Sequence, residues 1–182
     1  MKRVALAAIL IAVTGCSPAP TPSEATRSFD DPVAETSADG FTLTLAVEDA
    51  QVAAGEEIHP SAALGHDRAD DVALTGSSSG IVFFSVTRIE DGLTSGPPAH
   101  HDDCVPQVVP AGPPLPIPFS KSGGFAPEDP GAEFLEIYFR DPDLTLPAGT
   151  WRIDAVTYAW IGDECSGEPL DLATSVEVVV SE

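Results

Sequence analysis

The chain is short of positive charge. Eight Lys and Arg stand against 29 Asp and Glu, giving a formal net charge of −21 at pH 7. A surface of that sign repels phosphate backbones and anionic lipid head groups, so nucleic-acid binding and electrostatic membrane binding are not expected, and a charged partner would be cationic. Asparagine is absent altogether, which leaves Gly, Asp and Pro to make the turns. The single methionine is Met1, so the body offers no thioether of the kind Cu(I) favours. Three cysteines are too few for a small scaffold built on disulfides, and 182 residues suffice for one domain with its own apolar core. Long apolar runs are also missing. The run from Val4 to Val13 (VALAAILIAV) would rise only about 15 Å as a helix, roughly half of the ~30 Å hydrocarbon core of a bilayer, which argues against a permanent transmembrane span.

What stands around that run is an export signal. Lys2 and Arg3 precede it, and Val13-Thr14-Gly15-Cys16 closes it, giving a basic start, an apolar middle and small residues at the end. These residues resemble the lipobox of bacterial lipoproteins. The resemblance implies that residues 1–15 are a signal peptide and that Cys16 is the lipidation site, receiving a diacylglycerol thioether before cleavage ahead of it. It places the protein on the cell membrane or outer membrane, lipid-anchored and facing the extracytoplasmic side. At ~0.8 kcal/mol per buried methylene, two or three acyl chains hold a protein firmly where one is marginal. The partner implied at this end is therefore the membrane, reached through the N-terminal lipid.

Residues 16–40 continue with prolines at 18, 20, 22 and 32 among small polar residues. Such a segment has little to bury and is expected as a disordered tether, reaching ~25–30 Å if it behaves as a flexible coil. After Gly40 the period changes. Phe41, Leu43, Leu45 and Val47 alternate with smaller or polar residues, the mark of a half-buried strand. Ile58–Leu64, Val72–Thr75 and Ile81–Ile89 follow as strands. Thr150–Ile161 places Trp151, Ile153, Ala155 and Ala159 on one face, and Leu170–Val180 does the same with Leu172, Thr174, Val176, Val178 and Val180. Leu115–Phe119 is a weaker strand, and Phe134–Phe139 reads equally as a short helix or a strand. About seven to nine short strands with Gly and Pro turns predict an all-β antiparallel sandwich over residues 41–182.

Three runs in that body, GEEIHPSAALGHDRADDVALT, IVFFSVTRIEDG and LPAGTWRIDAVTYAW, resemble the beat of bacterial immunoglobulin-like domains, including the BsuPI-type proteinase-inhibitor domain. The resemblance implies an immunoglobulin-like fold, with Trp151 opening a strand after Leu146-Pro147-Ala148-Gly149. The chain departs from that pattern in a long Pro-rich insert between Asp91 and Glu133.

With Cys16 acylated outside the reducing cytosol, Cys104 and Cys165 form an even pair and are expected to be bridged, a stabilisation of roughly 4 kcal/mol in the chain-entropy picture. His100-His101-Asp102-Asp103-Cys104 is the most ligand-rich stretch, and His100, His101 and Asp102 are weak metal candidates, with His59 and His66 as conceivable further donors. Neighbours on an extended loop point in different directions, so a solvated loop is the plainer reading and no metal or other cofactor is expected. Gly76-Ser77-Ser78-Ser79-Gly80 satisfies the Gly-x-Ser-x-Gly pattern around Ser78, but a strand rather than a helix follows it, so a turn is expected and not a catalytic nucleophile. Asp70-Asp71, Asp102-Asp103 and Glu128-Asp129 lack EF-hand spacing and read as solvating faces, with weak Ca²⁺ binding as the alternative. The run Pro106–Pro118 is either a recognition segment or a stiff crossover between sheets. No catalytic residue is expected. The functional expectation is a lipid-anchored, non-enzymatic envelope module that binds or interacts with an unidentified ligand, an envelope protein being one candidate partner, with a BsuPI-like protease inhibitor and an envelope metal-binding protein as alternatives.

Overall fold

The computed structural model describes residues 32–162 and 164–182. In chain order its elements are β1 (Val33–Ala38), β2 (Phe41–Val47), β3 (Gln51–Ala53), β4 (Glu57–Ile58), β5 (Pro60–His66), β6 (Val72–Gly76), β7 (Val82–Arg88), β8 (Val105–Val109), β9 (Leu115–Pro118), α1 (Ala132–Arg140), β10 (Leu144–Thr145), β11 (Gly149–Thr157), β12 (Ala159–Ile161), β13 (Glu168–Leu170) and β14 (Ala173–Ser181). The fold is all-β, with one short helix among the described residues. Nine of the fourteen strands among the described residues are four residues or longer, the number the alternation predicts; the other five are short pieces of two or three residues.

One sheet runs β1-β2-β5-β9 and is antiparallel throughout. A second runs β3-β14-β11-β7, with β3 parallel to β14 and the rest antiparallel, and a third runs β13-β12-β6-β8. The third sheet continues the second across a bend at Tyr158. Thr157 spans the bend: its amide donates to the Leu172 carbonyl at 2.9 Å, and its hydroxyl donates to Leu170 O and accepts from Leu172 N. The apolar faces meet in one core that includes Phe41, Leu43, Leu45, Leu64, Leu74, Phe84, Val86, Trp151, Ile153, Leu172 and Val178. Burial of each large side chain is worth about 2 kcal/mol. Trp151 is fully buried and keeps its indole N–H satisfied on the Pro147 carbonyl at 2.8 Å, so the aromatic two residues after Leu-Pro-Ala-Gly is a core anchor.

The sheet begins earlier than the composition suggests. β1 lies within the segment 16–40 expected as a tether, pairing from Val33↔Ala46 to Ala38↔Phe41. Its burial is slight, because Val33 and Glu35 face solvent and only Ala34 and Thr36 turn partly inward; the ladder and the turn hold it instead. Asp39 and Gly40 both adopt positive φ, 55° and 77°, the left-handed geometry a two-residue hairpin requires and Asp-Gly supplies. Cys16 and the lipobox lie outside the described residues.

The Pro-rich insert is a crossover. β8 and β9 are the outermost strands of two different sheets, the edge positions to which prolines such as Pro106, Pro116 and Pro118 are confined in a sheet. The ambiguous stretch 134–139 is helical. Helical spacing sends Leu135 and Tyr138 inward, whereas strand alternation would group Glu136 with Phe134 and Tyr138. The exposed carbonyls at the helix end are met by one ammonium: Lys121 Nζ donates to Tyr138 O, Asp141 O and Asp143 O at 2.7, 2.7 and 2.6 Å and lies 4.4 Å from the Tyr138 ring centre. A cation at a helix C-terminus is the favourable sign.

Candidate functional site

Two regions carry more chemistry than the sheets alone need. The first surrounds the His-rich loop. Cys104 and Cys165 form a disulfide with Cα atoms 5.7 Å apart, joining the insert to the loop after β12. The His100 ring stacks on Tyr158 at 3.5 Å between centroids and 22° between planes, with Phe83 edging both at 5.7 and 6.3 Å. Tyr158 in turn meets Trp160 edge-on at 4.9 Å. The Tyr158 hydroxyl donates to Asp102 Oδ1 at 3.2 Å, and that carboxylate lies 3.6 Å from His100 Nδ1. Partial desolvation, then the hydrogen bond to Asp102 and its charge, raise the Tyr158 pKa.

The remaining loop residues point elsewhere. The His101 amide donates to Ser77 Oγ at 3.1 Å, and Asp103 accepts from the Ser78 amide at 3.0 Å, its carboxyl held below the usual range chiefly by Ser78. His66 Nε2 contacts the Val109 carbonyl at 3.0 Å and His59 pairs with Glu57 at 3.3 Å, so neither joins the loop. Among the described residues no three His, Cys, Asp or Glu side chains converge as metal ligands would. Ser78 sits in the turn between β6 and β7, closed by a Ser77↔Gly80 bridge, with no helix after it to stabilise an oxyanion. A cavity of about 360 Å³ beside Phe83, His100 and His101 includes Ser122, whose buried hydroxyl has no hydrogen-bond partner among the described residues. The other carboxylate pairs hold loops: Asp71 ties its loop to the insert by accepting from Ala111 N at 2.9 Å, and Asp129 closes a turn by accepting from Ala126 N at 2.7 Å.

The second region is a groove beside α1, with a volume of about 530 Å³. Its walls are Leu93 from the loop after β7, Phe134, Ile137 and Tyr138 from α1, and Leu146 and Pro147 before β11, with Gly55 at one end. Phe134 stacks on Trp151 at 5.3 Å and 30°, which fixes the inner wall to the core. Gly131 opens the helix at φ 78°, a left-handed geometry that favours glycine, and a Cβ there, 2.5 Å from Leu93 Cδ1, would push the Leu93 side chain aside. Burial pushes the Tyr138 hydroxyl up to about 12. Glu133 and Thr145 are polar members of the lining. The sequence reading missed this groove. Its signal was the apolar excess of EFLEIYF, which exceeds what one buried helical stripe needs.

No protein family matches this chain, and neither a curated protein nor a solved structure matches it. The site must therefore be read from its own chemistry. The loop cluster spends its side chains on one another, whereas the groove leaves apolar walls open to solvent.

Proposed function

We propose that the chain is a lipid-anchored, non-enzymatic binding module of the cell envelope, its sandwich immunoglobulin-like and facing the extracytoplasmic side. One observation carries the reading: Lys2-Arg3, the apolar run Val4–Val13 and Val13-Thr14-Gly15-Cys16 stand in the order that export and acylation require. A bridged Cys104–Cys165 pair supports it independently, because structural disulfides persist in oxidising compartments. The acidity of the chain supports it as well. A body at −21 stands off from anionic head groups, so attachment falls to the acyl chains at Cys16. The proposed mechanism is presentation: the anchor restricts the sandwich to a surface, and one of its faces meets a protein partner there.

The test is fractionation of cells carrying the intact gene or its Cys16→Ser variant. The wild type is expected in the membrane fraction with a diacylglyceryl mass on Cys16, and the variant is expected to lose that mass. Mass spectrometry that finds Met1 retained, or an unmodified Cys16 thiol, contradicts the reading.

A further inference from the structure

Helix α1 displays more apolar surface than the core takes in. Leu135 and Tyr138 are buried, but Ile137 is 57% exposed, and Phe134 is only partly covered. On the opposite flank Phe139 is covered by the Phe125 ring, parallel at 6.4 Å. The Ile137 flank faces the groove instead, whose volume of about 530 Å³ falls within the range of ligand-binding clefts. The charged residue in the lining is acidic. Glu133 lines the groove and makes no ion pair among the described residues, while Glu56 and Glu57 follow Gly55 directly and are exposed, Glu56 accepting from the Ala53 amide at 3.0 Å and Glu57 lying 3.3 Å from His59. Among the described residues no Lys or Arg lines the groove.

We propose that this groove docks a basic amphipathic segment of a partner protein, with one or two apolar side chains between Ile137, Phe134 and Leu146 and its Lys or Arg residues on Glu133 and the Glu56–Glu57 turn. The inference rests on the binding-module reading above and supplies the chemistry of its partner. Charge selects among occupants: an acidic segment is repelled from the rim, and a second copy brings the same net charge of −21 with it. Helix-in-groove recognition places anchors at helical spacing on one face, and the groove has room for such anchors but not for a whole domain.

The experiment uses the full chain and a synthetic amphipathic helix of Leu and Lys, about 18 residues long, followed by calorimetry at physiological ionic strength. Saturable one-to-one binding near ~10 μM is expected. Ile137→Glu weakens it by about tenfold or more, Glu133→Gln by about threefold, and Glu177→Gln on the distant exposed face of β14 leaves it unchanged. Circular dichroism of each variant matches wild type. Equal weakening by Glu133→Gln and Glu177→Gln would reduce the effect to diffuse charge and overturn the proposal. So would equal binding of a Leu/Lys peptide scrambled out of helical register, or no saturation by 100 μM peptide (on the order of −5.5 kcal/mol). A concentration-dependent dimer that Ile137→Glu dissolves would assign the face to a second copy instead. Failure at Cys16 would overturn the membrane reading without touching peptide binding. Crosslinking on intact cells that captures a partner through another face would overturn the groove and leave the module standing.

Discussion

Two ends of the insert between β7 and β11 solve opposite problems with similar residues. At the disulfide end, aromatic rings, imidazole and carboxylates close on one another: His100 on Tyr158, Tyr158 on Asp102, Asp103 on Ser78, Cys104 on Cys165. At the α1 end, Phe134 and Tyr138 are held by Trp151 and Lys121, while Ile137 is left uncovered. Rings whose polar edges are satisfied by their neighbours build rigidity; apolar walls without a neighbour leave a place for something else. The richest stretch of potential ligands is therefore the more structural of the two, and the plainer helix is the more available.

The sharpest way to break this contrast is to cut the covalent tie. Cys104→Ser with Cys165→Ser is expected to cost roughly 4 kcal/mol in chemical denaturation, and to leave the groove variants behaving as before. The two tyrosines offer the next comparison. Tyr138 has its folded pKa raised from 10.0 to about 12 by burial, so the neutral hydroxyl is favoured in the fold. Its contribution is intact below pH 10 and disappears as pH rises towards 12, a loss of about 2–3 kcal/mol. Tyr138→Phe should remove that alkaline loss in a pH series of unfolding midpoints, whereas Tyr158→Phe should not. Lys121→Met strips three carbonyls of their donor and is expected to cost about 2 kcal/mol, with hydrogen exchange accelerating first at the end of α1. Tyr158→Phe removes one exposed hydrogen bond to Asp102 and should cost about 1 kcal/mol or less. Ile137→Ser, on an uncovered wall, should change stability by no more than about 0.5 kcal/mol. A large loss there would mean that the groove is part of the core.

Much of the fold is legible in period-two alternation. The faces read from Phe41–Val47, Thr150–Ile161 and Leu170–Val180 are the faces that pack, because each strand buries one side and a slip of one residue would invert it. β1 escaped that logic, since Ala34 and Thr36 bury little and the strand is held by its ladder to β2; only Asp39-Gly40 announced it. The disulfide was legible from parity once Cys16 was set aside. The helix was ambiguous because Phe134–Phe139 is apolar in both periods, and only a core beneath Leu135 and Tyr138 decides between them. The groove was announced only by the apolar excess of EFLEIYF, and its walls were not legible. It forms where Gly55, Leu93, α1 and Leu146-Pro147 meet, four segments whose approach is set by the sheets rather than by any local pattern.

Hydrogen exchange on the full chain, with and without the basic amphipathic peptide, tests the contrast between the two ends most directly. Protection gained over 131–140 and 144–147, with 100–104 and 158–160 unchanged, is the predicted result. Protection confined to the His100–Cys104 loop and Tyr158–Trp160 would contradict it and exchange the roles assigned to the two regions.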